Sequence, residues 1–153
     1  MFVLLSVLAC APEIEEEAPV VPLPDIRGAA LAIDHDPAND VVEYHLEASM
    51  VEIQLADGEK TEIMAYNGQL PGPLLQARVG DTMRVVFENQ LDESTTIHWH
   101  GLRIENAMDG VPAVQDPVEP GETFIYEFTV EDAGSYWYHP HMREDLQQDL
   151  GLY

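Results

Sequence analysis

Two short patterns, His98-Trp99-His100 and His139-Pro140-His141, limit what this chain can fold into more than any other feature. In an extended strand, residues i and i+2 point to the same face, roughly 7 Å apart. Each pattern therefore presents two imidazoles side by side. If the two strands are neighbours, four imidazoles converge on one patch. One such pair is a weak signal. Two pairs, both in aromatic-flanked segments that follow turn signals, point to a metal site. Neutral imidazole suits copper, zinc, iron and nickel, so the spacing alone leaves the metal open. The only cysteine, Cys10, is remote from both patterns, which excludes a thiolate zinc site. The other two histidines, His35 and His45, lack a partner at strand spacing and read as solvent-facing.

The segments around these pairs read as β-structure. Val41 to Leu55 alternates loosely and is rich in β-branched residues, and Asp57-Gly58 signals a hairpin turn. Thr61 to Tyr66 predicts a second strand, and Asn67-Gly68 with Pro71-Gly72-Pro73 predicts a loop. Short strands are expected over Leu74 to Val79 and Thr82 to Asn89. In the latter, Met83, Val85 and Phe87 share one face. Thr95 to Leu102 predicts a strand, and Glu105 to Gly121 a long loop. Thr123 to Val130 puts Phe124, Tyr126, Phe128 and Val130 on one face. Ser135 to His141 predicts the last strand, and Met142 to Leu150 the only helix. Short strands at this spacing, with Gly, Pro and Asp turns, predict an all-β fold, a β-sandwich with Greek-key connections.

The chain has 153 residues, enough for one compact domain and a tail, and 46% of them are hydrophobic. Its 29 acids against six Lys and Arg give a formal charge of −23. Such a surface repels nucleic acid and anionic membrane, which excludes both as partners. Residues 11–40 are expected to form an acidic, Pro-rich linker. Its first part carries Glu13, Glu15, Glu16 and Glu17 among Pro12, Pro19, Pro22 and Pro24, a composition for a disordered, self-repelling tether. The apolar run before Cys10 is far shorter than the ~20 residues a membrane span needs. Residues 1–10 instead resemble an export signal, with Val7-Leu8-Ala9-Cys10 similar to a bacterial lipoprotein processing site. Export to the periplasm or cell envelope is expected, with any membrane contact made through a lipid on Cys10. The methionines Met50, Met64, Met83, Met108 and Met142 are scattered and read as packing residues.

Thr96-Ile97-His98-Trp99-His100-Gly101 and Tyr136-Trp137-Tyr138-His139-Pro140-His141 resemble the two first-domain motifs of the multicopper oxidases, the laccase-like family. Tyr66-Asn67-Gly68 through Pro71-Gly72-Pro73, Asp109-Gly110-Val111-Pro112, Pro120-Gly121-Glu122-Thr123 and Gly151-Leu152-Tyr153 are similar to further motifs of that family. The likeness runs from about residue 42 onward. It implies a cupredoxin-like, plastocyanin-like first domain over 41–153 that supplies part of a trinuclear copper cluster. By this resemblance His98 matches a ligand of the type 2 copper. His100 and His139 match ligands of one type 3 copper, and His141 a ligand of the other. Asp109 matches an acid near the cluster that orients water and supplies protons as O₂ is reduced to water. The aromatic residues beside the ligands read as packing and water exclusion.

The resemblance also implies what lies outside this sequence. A family enzyme has a type 1 copper held by a cysteine thiolate with histidines, and further trinuclear ligands in a later cupredoxin domain. Neither set is present in the 153 residues. The domain is thus expected to be incomplete at its C-terminus and to show no oxidase turnover alone. Two functions follow as expectations. One is the first domain of an oxidase acting on a phenol or metal ion, with O₂ as acceptor. The other is a stand-alone periplasmic module that binds or delivers copper.

Overall fold

The computed structural model describes residues 29–36, 38–56 and 59–153. The described residues form two sheets. The larger contains β1 (Val41–Ala56), β2 (Glu59–Tyr66), β3 (Thr82–Asn89) and β5 (Thr123–Thr129) in the order β2-β1-β3-β5. The smaller pairs β4 (His98–His100) with β6 (Trp137–His139). β1 runs antiparallel to β2 and parallel to β3, and β3 runs antiparallel to β5. This arrangement is the expected all-β cupredoxin-like sandwich. Among the described residues helix is confined to one turn, α1 (Glu144–Gln147), and a 3-10 turn at Asn106–Met108. Among the described residues no helix is long and apolar enough to cross a membrane.

The period-two pattern explains the packing. Tyr44, Leu46 and Ala48 point inward from β1, Met83, Val85 and Phe87 from β3, and Tyr126 and Phe128 from β5. Trp99 comes down from the smaller sheet onto Tyr126 and Phe128, at ring separations of 5.5 and 5.3 Å. It therefore ties the two sheets together. Burying a side chain such as Phe87, fully enclosed here, stabilises the fold by roughly 1.5–3 kcal/mol.

Four expected elements differ from the structure. Leu74 to Val79 forms no strand. Leu74 alone makes an isolated bridge, to Leu31. Side chains satisfy this backbone instead: the Tyr44 hydroxyl donates to the Gln76 carbonyl at 2.6 Å and accepts from the Gln76 N–H at 3.2 Å. Asp81 accepts the Arg78 N–H. The helix is much shorter than Met142 to Leu150, because Arg143 adopts a left-handed conformation and stops it from starting earlier. The strands carrying the histidines are three residues each, shorter than their apolar patterns.

Residues 1–28 lie outside the described residues, and with them Cys10, the export segment and most of the proposed tether. So does the Asp57-Gly58 turn. The last part of the predicted linker is not free of the domain. Ala30 and Ala32 exchange backbone hydrogen bonds with Leu74, and His35 N–H donates to Glu43 O.

Replacing Tyr44 with Phe removes both partners of the Gln76 backbone. The variant should unfold about 1 kcal/mol more easily, and its Gln76 amide should exchange faster with solvent. Unchanged amide protection at Gln76, measured by NMR hydrogen exchange, would show that the hydroxyl does not hold this loop.

Candidate metal centre

The four predicted histidines meet because β4 and β6 are antiparallel partners in one register. His98 pairs with His139, Trp99 with Tyr138 and His100 with Trp137. Paired residues share a face, so Trp99 and Tyr138 enter the core while His98, His100 and His139 stand together on the other side. His141, just past β6, joins them. Ring centroids separate by 4.8 Å for His98–His141, 5.3 Å for His98–His139 and 5.5 Å for His98–His100, His100–His139 and His139–His141. Ligand nitrogens of His98, His100 and His139 all lie within 4.8 Å of one another.

The hydrogen bonds assign which nitrogen each ring offers. His98 Nδ1 donates to the Asp109 carbonyl at 2.7 Å, which leaves Nε2 bare. His139 Nδ1 donates to the Pro140 carbonyl at 2.9 Å and likewise frees Nε2. The free Nε2 of His139 lies 3.3 Å from His100 Nδ1. Two imidazole nitrogens bound tetrahedrally to one first-row ion, at about 2.0–2.1 Å each, lie about 3.3 Å apart. The pair is therefore already spaced as two ligands of one metal. The donor set is all imidazole, suited to copper. Trp137 stacks on His100 and on His139, at 5.1 and 4.1 Å, and fixes their ring planes.

His139 is 4% exposed. Burial, and then the neighbouring imidazoles of His98, His141 and His100, hold its pKa below the ordinary imidazole range, while its bond to Pro140 opposes the shift. Asp109 lies beside His98. Its backbone carbonyl makes the hydrogen bond, and its carboxylate stands 3.6 Å from His98 Nδ1. His35 and His45 are exposed as expected, stacked on one another at 4.3 Å, and take no part in the cluster.

One residue that helps to hold His98, Gln115, lies outside the motifs. Gln115, 6% exposed, accepts the Gly110 N–H at 2.8 Å and donates to the Tyr126 hydroxyl at 3.0 Å. That hydroxyl accepts the Ile97 N–H at 2.8 Å. Gln115 thus joins the loop that grips the His98 ring to the backbone just before it. Gly110 has φ +76°, and a Cβ there would sit 2.0 Å from Ile97 O. Only glycine lets the loop come this close.

Gly110→Ala should therefore displace the Asp109 carbonyl from His98 and lower both the melting temperature and copper binding. Retention of both would refute the role given to this contact. Gln115→Leu leaves the buried Gly110 N–H unpaired and removes one of the two partners of the Tyr126 hydroxyl, and should cost about 1–3 kcal/mol in denaturant unfolding. In the copper-free chain, protonated His139 is disfavoured by the fold. Its contribution is full above the unfolded imidazole pKa of about 6.5 and is lost as pH falls below it, toward the lower folded value. Urea unfolding from pH 7.5 to 5 should show a shallower loss of stability in His139→Gln. An identical slope in both proteins would contradict the assignment.

A sequence model of the family described as multicopper oxidase matches residues 47–153. Copper resistance protein A of Pseudomonas syringae pv. tomato is 38% identical over 131 residues, covering 83% of this chain and 21% of that protein. The crystal structure of a multi-copper oxidase from Pseudomonas thermotolerans superposes with a TM-score of 0.72 at 50% identity, covering 73% of this chain and 28% of that one. A laccase from Pediococcus acidilactici gives a TM-score of 0.75 at 33% identity, covering 90% of this chain and 30% of that one. The chain spans between a fifth and a third of these relatives. A match running through every motif that builds the imidazole cluster makes this chain a member of the multicopper oxidase family, with the copper binding that membership implies.

Proposed function

We propose that this chain is the first cupredoxin domain of a multicopper oxidase and supplies half of the ligands of its trinuclear copper cluster. In this reading His98 serves the type 2 copper, His100 and His139 one type 3 copper, and His141 the other. A later cupredoxin domain supplies the remaining ligands and the type 1 site. The observation that carries the proposal is the 3.3 Å approach of His100 Nδ1 to His139 Nε2 inside a ring of four imidazoles. Copper bound there would cycle between its two oxidation states and pass electrons from the reductant, a phenol or a metal ion, to O₂.

The chain's own residues have separable tasks. The Asp109 and Pro140 carbonyls orient the rings of His98 and His139. Trp99 and Tyr138, packed beneath the ligands, keep water out of the protein side of the site. The Asp109 carboxylate, 3.6 Å from His98 Nδ1, would hold a water and pass on a proton in this reading. Export, with a lipid on Cys10, fits the N-terminal sequence and belongs to the same proposal. A stand-alone copper-delivery module is the weaker reading. The chain is 50% identical to a multi-copper oxidase and 33% identical to a laccase of known structure, which favours the oxidase reading.

The test is copper loading of the purified chain, followed by metal analysis and oxygen uptake with a phenolic reductant. Copper should bind, be lost from the His98→Ala, His139→Ala double variant, and support no turnover. Sustained O₂ uptake would mean that copies of the chain complete the cluster among themselves and would overturn the half-site assignment. Absence of bound copper would overturn the copper reading as a whole.

A further inference from the structure

Three of the clustered histidines have a polar partner at Nδ1, and the partners are not of the same kind. His98 and His139 donate to neutral backbone carbonyls. His141 Nδ1 instead meets the Glu144 carboxylate, three residues further along the chain. We propose that Glu144 is a positioning residue for His141. Its carboxylate holds the proton on Nδ1, so that Nε2 is presented to the metal, and it adds negative charge behind this one ligand. This inference rests on the reading of His141 as a copper ligand.

The local backbone is arranged around that contact. Directly after the ligand segment, Arg143 takes φ 41° and ψ 55°. It is one of two non-glycine residues with positive φ among those described, the other being Asn67. Such a conformation costs an ordinary side chain about 1–2 kcal/mol and persists only where the surroundings enforce it. Here they do. The Arg143 guanidinium pairs with Glu93 at 3.2 Å. The Arg143 carbonyl accepts the N–H groups of Leu146 and Gln147, both at 2.8 Å. Gln147, with no exposed surface, accepts from Thr95 Oγ1 at 2.8 Å and donates to Ser94 O at 2.9 Å and to Glu93 Oε1 at 3.1 Å.

The strained turn has one chemical consequence at the site. It folds residue 144 back over residue 141, where a continuing strand would carry it away. The His141 N–H is meanwhile fixed by Thr96 Oγ1 at 3.0 Å, so the ligand is gripped at its backbone and at its ring. Both grips depend on the Glu93–Thr96 segment that leads into His98. A carboxylate behind a ligating imidazole sets its tautomer and raises its basicity. Loss of such a partner typically lowers metal affinity 10- to 100-fold.

The test begins with the copper-free full chain, labelled with ¹⁵N, at about pH 8.5, two units above the ordinary imidazole pKa. Long-range ¹H–¹⁵N correlation spectra report which ring nitrogen carries the proton. His141 should be protonated on Nδ1 in the wild type and in Glu144→Gln, whose amide oxygen still accepts. In Glu144→Leu it should move to Nε2. His98 and His139 should stay on Nδ1 in all three proteins. Protonation of wild-type His141 on Nε2, or an unchanged tautomer in the Leu variant, would overturn the proposal. The wild-type spectrum decides this point even if the Leu variant folds poorly. Copper(II) affinity should then fall by about tenfold or more in Glu144→Leu and by less in Glu144→Gln. Equal affinities would remove the metal-directed role. Failure of the wild type to bind copper would instead defeat the functional reading and leave the tautomer result standing.

Discussion

Everything at the metal centre depends on the register of one short antiparallel pair. With His98 opposite His139, the alternation of the two strands sends Trp99 and Tyr138 into the core and leaves the imidazoles on the other side. A slip of one residue would exchange those faces, burying histidine and exposing tryptophan. Three residues per strand are too few to secure a register by ladder hydrogen bonds alone. Trp99 secures it by packing against Tyr126, Phe128 and Tyr138. The core and the site therefore stabilise the same arrangement from opposite sides.

A second layer of polar contacts turns this arrangement into a preformed site. Each half of the cluster is gripped by a buried glutamine acting through its neighbours. Gln115 links the Gly110 loop, Tyr126 and the backbone before His98. Gln147 links α1 to the Ser94–Thr95 segment, and so holds Glu144 against His141. Both amides are buried and hydrogen-bonded through oxygen and nitrogen alike, which makes each a connector, and either would be costly to leave unpaired. The nitrogens of His100 and His139 stand 3.3 Å apart, the spacing of two ligands of one metal.

Much of this was legible in the sequence because it depends on period two. The strand faces of β3 and β5, the inward tryptophan and the convergence of the two His-x-His pairs all follow from alternation. Its limits are equally physical. The predicted strand at Leu74 to Val79 failed because the Tyr44 hydroxyl, distant in sequence, takes both backbone groups of Gln76. The predicted helix after His141 shrank because Arg143 accepts a left-handed conformation that tertiary contacts impose. Gln115, Glu144 and Gln147 stayed hidden for the same reason. Their partners are brought to them by the fold, and no local pattern marks a buried amide as a connector. Asp109 was found by its motif, yet the atom that holds His98 is its backbone oxygen, which any residue type provides.

The central claim is that this chain alone arranges one face of a copper cluster before any partner domain arrives. A crystal of the chain soaked in copper and measured at the copper absorption edge tests it most directly. The account predicts anomalous density between His100 Nδ1 and His139 Nε2, at about 2.0 Å from each, with His98 Nε2 and His141 Nε2 facing the same cavity. Copper bound elsewhere, such as at the exposed His35–His45 stack, with the cluster left empty, would contradict it.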